Sequence, residues 1–196
     1  MSPFVKICGL RTAADVAAAV AAGADAVGFI FARSPRQIDA ETARELVEAA
    51  GDVLTVGVFK GMPPAEVRTV AAAAGVRAVQ LHGDYPKDAF TEVADPAWRL
   101  IRAVPYSAPD LRVGAYGEDL LLVDAPKAGS GESWDYHLVA GLSGQWLLAG
   151  GLTPDTVAGA WQTAGAWGVD VSSGVESSRG VKDAALIARF VAAAKG

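Results

Sequence analysis

Apolar and polar positions along this chain fall into two alternating textures. Short, nearly unbroken apolar runs occur at Phe4–Cys8, Ala26–Phe31, Leu54–Phe59, Ala78–Leu81, Trp98–Val104, Leu120–Asp124, Trp146–Ala149 and Gly168–Val171. Runs of this length, apolar at successive positions, are the pattern of strands covered on both faces of a parallel sheet. Between them lie longer stretches with helix start and stop signals. Thr12 caps a helix to Ala22 that Gly23 ends, and Asp39 caps one running to about Ala50. Pro63-Pro64 opens a helix that Gly75 closes, and a short helix is expected over Pro86–Val93. Another follows Thr153-Pro154 to about Thr163, and a last one runs from about Asp183 to Ala194. Tyr136–Ala140 reads as a short helix at most. The stretch from Tyr106 to Gly117 is broken by Pro109, Gly114 and Gly117, so the fifth helix is weak or missing.

Eight strand–helix units at about 25 residues each predict a small α/β (β/α)₈ barrel, one domain over residues 1–196. The runner-up, an open doubly wound sheet, lacks its Gly-x-Gly-x-x-Gly turn after the first strand. The composition, 52% hydrophobic and 20% charged, fits one packed core. A net charge of −5 argues against nucleic acid as a partner, because that binding is driven by Lys and Arg on phosphates. The most apolar region, Ala13–Ala32, is interrupted by Asp15, Gly23 and Asp25, so no membrane span or membrane partner is expected. One cysteine forms no internal disulfide, and the N-terminus lacks a signal-peptide pattern. Both readings place the protein in the reducing cytoplasm. The exposed loops carry no interface pattern, and both a monomer and a homodimer fit.

In parallel α/β folds the chemistry gathers at the C-terminal ends of the strands. Here those ends carry Cys8, the Ser34-Pro35-Arg36 loop, Gln80-Leu81-His82, Asp124, Gly150-Gly151 and Asp170 through Gly174. Residues two apart in a strand share a face, so Lys6 lies one layer below Cys8, Gln80 pairs with His82, and Asp170 with Ser172. A buried Lys6 needs a counter-charge. Strand 8 adjoins strand 1 in a closed barrel, which makes Asp170 the natural partner. Cys8 reads either as an activated thiol, with Lys6 favouring the thiolate, or as a small buried apolar residue. Asp124 ends a wholly apolar strand, where desolvation raises a carboxyl pKa and makes a general acid, or where it simply fixes the following loop. Gly150, Gly151, Ser172, Ser173 and Gly174 follow strands 7 and 8, the place where backbone N–H groups of barrel loops hold phosphate. Arg36 reads as an anion clamp or a surface arginine, and His82 as a site residue or a structural one. His137 is assigned nothing, and the tryptophans read as packing, with Trp134 the exception. No spacing typical of a metal site is present, so neither metal nor cofactor is expected.

Taken together these segments resemble the phosphoribosylanthranilate isomerases of tryptophan biosynthesis. The resemblance is carried by Val5–Leu10, Gly23–Phe31, Ser34–Arg36, Val56–Phe59, Val79–Gly83, Leu121–Asp124, Leu148–Leu152, and Gly168–Glu176 with Gly180–Asp183, in the family's order. It implies an Amadori rearrangement of N-(5'-phosphoribosyl)anthranilate to 1-(2-carboxyphenylamino)-1-deoxyribulose 5-phosphate, the third step from chorismate via anthranilate. A phosphorylated small molecule is then the partner. It further implies Asp124 as general acid, Cys8 as general base and Arg36 on the anthranilate carboxylate. Asp170 would lie near the ribose hydroxyls, and the glycines and serines after strands 7 and 8 would hold the phosphate. An acid and a base working at one pH require opposite pKa shifts and a bell-shaped pH–rate profile. The chain departs from the family in the loop Ala128-Gly-Ser-Gly131 with Trp134-Asp-Tyr136, and in Lys60 where an Asn is usual. The competing readings are a catalytically silent phosphosugar-binding barrel and another phosphate-using barrel enzyme. The latter class usually needs metal ligands or a strand-end lysine, and Lys6 lies too deep to serve.

Overall fold

The computed structural model describes residues 2–126 and 133–196. Eight parallel strands close into a barrel: β1 (Phe4–Cys8), β2 (Ala26–Ile30), β3 (Leu54–Phe59), β4 (Ala78–His82), β5 (Arg99–Pro105), β6 (Leu120–Asp124), β7 (Trp146–Leu148) and β8 (Gly168–Val171). Closure is made by β1 and β8, in a register that sets Lys6 opposite Asp170.

Every strand sorts its side chains by the two-residue period. Cys8, Ala26, Val56, Val58, Ala78, Ile101, Ala103, Leu120, Leu122, Leu147 and Ala149 fill the barrel interior. Val5, Ile7, Val27, Phe29, Val79, Leu81, Leu121, Val123, Leu148 and Val169 face outward under the helices. Both sets are buried, which is why the strands read as unbroken apolar runs. The interior rows end at the mouth in polar groups: Cys8, Gln80 and His82, Asp124, and Asp170. At the opposite end, Phe4 stacks on Trp167 with ring centroids 4.7 Å apart and covers the floor.

The helices are α1 (Ala13–Ala22), α2 (Ala40–Ala49), α3 (Pro64–Ala74), α4 (Lys87–Val93), α5 (Val157–Ala164) and α6 (Ala184–Lys195). The caps at Thr12 and Asp39 are the expected ones, and Asp183, expected only as the start of the last helix, also serves as a cap. The Thr12 hydroxyl accepts from the Asp15 N–H at 3.1 Å, Asp39 from Thr42 at 2.8 Å, and Asp183 from Ala185 and Leu186. Gly23 and Gly75 end α1 and α3 in the left-handed region, where a side chain is strained. The helix expected near Tyr136–Ala140 is a single 3-10 turn, Tyr136–Val139.

No helix joins β5 to β6. The coil that replaces it winds around one buried arginine on the outer face of β5. Arg102 donates to Glu118 Oε1 at 2.7 Å and to the carbonyls of Asp110 and Arg112, both at 2.9 Å. Its guanidinium lies 4.6 Å from the Tyr116 ring centroid. A helix satisfies its carbonyls internally; here a five-donor side chain does part of that work, so the coil can cover the sheet without repeating structure.

One element was not foreseen from the chain. After β8, a 3-10 turn (Ser173–Val175) leads into a hairpin of β9 (Glu176–Ser178) and β10 (Val181–Lys182). The Gly/Ser loop expected over Ala128–Ser133 lies, up to residue 132, outside the described residues. Among the described residues no helix is long and apolar enough to cross a membrane.

Candidate active site

The barrel mouth holds a cavity of about 210 Å³, and its lining includes Cys8, Arg36, His82, Asp124, Asp170 and Ser172. Six of the residues singled out from the chain thus meet in one place. Cys8, at the end of β1, is 5% exposed. It fits because β2 has no side chain beside it: a Cβ on Gly28 would lie 2.8 Å from Cys8 Sγ. One layer down, Lys6 is fully buried and donates to Asp170 Oδ1 at 2.7 Å, the partner that strand adjacency predicts. Burial works against the Lys6 ammonium. The Asp170 carboxylate and Cys8 outweigh it, and the lysine is held protonated above its ordinary value. For Cys8 the balance runs the other way. Burial pushes the thiol above its ordinary value, and Lys6 opposes only part of that. Lys6 does favour the thiolate, as expected, but the expected opposite shifts of acid and base are corrected, because removing a small, enclosed anion from water outweighs one neighbouring cation that Asp170 already neutralises.

Asp124 stands on the last interior position of β6. Burial raises its carboxyl from an ordinary 3.8 to about 6, as desolvation at the end of an apolar strand predicts. Its Oδ1 accepts from the Ala125 N–H at 2.7 Å, which fixes its direction. Gly150, left-handed at φ 88°, makes room for it: a Cβ there would lie 2.7 Å from Asp124 Oδ1 and 2.8 Å from Trp134 Nε1. Trp134 donates to the Ala149 carbonyl at 3.0 Å and Tyr136 to that of Gly150 at 2.9 Å. These two aromatics therefore anchor residues 134–136 onto the end of β7.

Arg36 is not a surface residue. It is 6% exposed and forks onto Glu176, Nε to Oε1 at 2.5 Å and Nη2 to Oε2 at 2.9 Å. Gly9 leaves it space, since a Cβ there would lie 2.6 Å from Arg36 Cδ and 3.1 Å from Ser172 Oγ. Burial alone would raise the Glu176 carboxyl, but Arg36, the Gly180 N–H and Lys182 hold it at about 2. Burial lowers His82 to about 4, aided by Lys60 and Lys6, so its imidazole is neutral at physiological pH.

Gly150, Gly151, Ser173 and Gly174 are not among the residues that line this cavity. Gly174 is where the loops after β7 and β8 meet: a Cβ would overlap the Leu152 carbonyl. Gln80 and Lys60 also line the mouth. Gln80 was legible, as the interior residue two before His82. Glu176 and Lys182 lie past the last barrel strand, in the hairpin of β9 and β10, where no periodicity points at them. Among the described residues no cluster of His, Cys, Asp and Glu is placed to hold a metal ion.

A family model described as N-(5'phosphoribosyl)anthranilate (PRA) isomerase matches residues 5–193. An N-(5'-phosphoribosyl)anthranilate isomerase of Rubrobacter xylanophilus is 41% identical over 97% of this chain and 98% of its own. One of Symbiobacterium thermophilum is 42% identical over 98% of each. Among solved structures, TrpF from Jonesia denitrificans superposes with a TM-score of 0.91 at 48% identity, covering 100% of this chain and 98% of that one. A phosphoribosyl anthranilate isomerase in complex with reduced 1-(o-carboxyphenylamino)-1-deoxyribulose 5-phosphate superposes at 0.85 and 35% identity, with both chains covered fully.

Proposed function

The chain belongs to the N-(5'-phosphoribosyl)anthranilate isomerase family, and we propose that its barrel mouth isomerises N-(5'-phosphoribosyl)anthranilate with Asp124 as general acid and Cys8 as general base. The observation that carries this reading is that the two groups line one cavity from β1 and β6, separated by β7 and β8 in the closed barrel. A sugar ring between them has its ring oxygen toward one and its C2 hydrogen toward the other.

The neutral carboxyl of Asp124 gives its proton to the ribose ring oxygen as the C1–O bond breaks. The anthranilate nitrogen lone pair moves to C1 and forms a protonated Schiff base. The Cys8 thiolate then takes the proton from C2, and the C2–H electrons neutralise the iminium to give an enolamine. Loss of the O2 proton and gain of one at C1 yield the ketone. The substrate brings its own nitrogen as the electron sink. Arg36 takes the anthranilate carboxylate, Asp170 the ribose hydroxyls, with His82 beside them. Ser172, Ser173 and Gly174, with Gly150 and Gly151, take the phosphate. Lys6 stays charged below Cys8 and stabilises the thiolate when it forms.

The raised thiol and the raised carboxyl have a kinetic consequence. Between their two pKa values most molecules carry ionised Asp124 and neutral Cys8, and the reactive form is the minority in which that one proton sits on Asp124 instead of Cys8. The fraction in that form is constant across the interval. The bell-shaped profile therefore has a flat top through neutral pH instead of a peak.

The test is turnover of freshly made phosphoribosylanthranilate by the purified protein in the presence of chelator. Loss of substrate fluorescence that disappears in Asp124→Asn and in Cys8→Ser, with binding of a product analogue retained, supports the reading. Unchanged turnover in either variant removes that residue from the mechanism. Binding without turnover in the wild type makes the chain a silent phosphosugar-binding barrel. The lone thiol and the biosynthetic chemistry fit action in the reducing cytoplasm.

A further inference from the structure

The hairpin after β8 closes onto the loop that carries Arg36. Glu176, at its start, is the hub, with its side chain 4% exposed. Oε1 accepts from Arg36 Nε at 2.5 Å and from Lys182 Nζ at 2.9 Å; Oε2 accepts from Arg36 Nη2 and the Gly180 N–H, both at 2.9 Å. Four donors on one carboxylate leave it no freedom to rotate. Lys182 in turn donates to the Ser172 carbonyl at 2.7 Å and lies 3.3 Å from the Ser172 hydroxyl. The hairpin turn presses on the same loop from its other side, since a Cβ on Gly180 would lie 3.1 Å from the Pro35 carbonyl oxygen.

Two features of this cluster point to a ligand. Arg36 is gripped only by its Nε/Nη2 edge, and among the described residues no protein atom accepts from Nη1, although the side chain lines the mouth cavity. The cluster of Arg36, Lys182 and Glu176 also carries two positive charges and one negative. One positive charge is left over at a buried position, and one carboxylate neutralises it.

We propose that Glu176 is the positioning residue of the carboxylate subsite. It holds Arg36 by one edge with Nη1 presented to the aromatic carboxylate of the substrate, and through Lys182 it ties that subsite to Ser172. This rests on the reading of Arg36 given above. Arginine has several rotatable bonds, and a guanidinium free to move loses most of the directional benefit of its fork. Glu176 supplies the missing order, and because it touches no substrate atom its effect runs through Arg36.

The experiment compares two probes: the reduced, stable product analogue, and the same molecule without the ring carboxylate. Glu176→Gln is expected to weaken the carboxylate-bearing probe by roughly tenfold or more, the range for losing a charge-assisted contact, and to leave the carboxylate-free probe within about threefold. In turnover, KM rises by a similar factor while kcat changes less. Glu176→Asp, which keeps the charge but shortens the fork, is expected to fall between, and it serves as the test should the glutamine variant fail to fold. Equal weakening of both probes would make Glu176 merely a structural residue of the hairpin and overturn the proposal, as would no change in either. Arg36→Met separates the two levels of inference. If it erases the preference for the carboxylate while Glu176→Gln does not, the proposal fails alone. If it leaves the preference intact, the reading of Arg36 fails and the proposal with it.

Discussion

Replacing the candidate general acid with its neutral isostere should make this protein more stable, and more so as pH rises. A carboxyl that titrates near 3.8 in the unfolded chain and at about 6 in the fold binds its proton more tightly when folded. The wild type therefore loses stability as pH rises through that interval. Fully ionised, the group costs the fold about 3 kcal/mol, at about 1.4 kcal/mol for each tenfold change in proton affinity. Asp124→Asn removes the titration. Its Oδ1 can still accept from the Ala125 N–H that Asp124 now uses at 2.7 Å, so the local geometry survives. The amide's own N–H groups and any cavity water shift the comparison by a constant. The informative quantity is thus the change in the stability difference with pH. Between pH 4.5 and 8 the variant should gain on the wild type by about 2 kcal/mol. With an m-value of roughly 3 kcal/mol per molar urea, that moves the midpoint difference by about 0.7 M. The assay is equilibrium urea unfolding of both proteins at several pH values, with equal m-values as the check on two-state behaviour. A difference that stays flat across this range would refute the argument, because it would mean that Asp124 is as well solvated in the fold as in the open chain. Loss of turnover alongside a gain in stability would identify the carboxyl as one held in an unfavourable setting for chemistry.

Other perturbations test other parts of the reasoning. The pH profile of kcat/KM should rise to about 6, stay flat through neutral pH, and fall only above the ordinary thiol range; a fall that begins near 6 would show that Cys8 is not the ionising partner. Arg102→Met should destabilise the protein by about 3–5 kcal/mol in urea or thermal unfolding, because it leaves Glu118 buried without its partner. The double variant with Glu118→Leu should recover much of that loss, and no recovery would mean that the coil needs the arginine's carbonyl bonds more than its charge. Gly28→Ala puts a methyl group 2.8 Å from Cys8 Sγ, so the thiol must turn. Turnover should drop by roughly tenfold or more with little change in the unfolding midpoint, and unchanged kcat would show that the direction of the thiol does not matter.

The Lys6–Asp170 pair shows how far reasoning from the chain reaches. Alternation places both residues inward, closure places β1 beside β8, and a buried ammonium demands an anion; no coordinates are needed. The strands were legible for a similar reason. A barrel strand is covered on both sides, so its identity is written in adjacent residues. The helix caps at Thr12 and Asp39 are likewise local hydrogen bonds between residues three apart. The same holds for Asp124, whose raised pKa follows from an apolar strand that must be buried up to its last residue.

Other features depend on what the fold brings from far away. Arg36 and Glu176 are 140 positions apart, and the hairpin that joins them lies outside the periodic elements, so no spacing rule connects them. The sign of the Cys8 shift also escaped, because a neighbouring lysine is visible in the chain while the extent of desolvation is not. The coil around Arg102 could be foreseen as an absent helix, but not as a structure built on one guanidinium. The chain alone, then, determined the order of elements, the barrel they close into and the strand ends where chemistry collects, since these follow from local hydrogen bonding and the period of burial. The tertiary structure decided which charges are paired, which groups are cut off from water and how Arg36 is aimed, because electrostatic energy depends on distance and surroundings in space rather than on position along the chain.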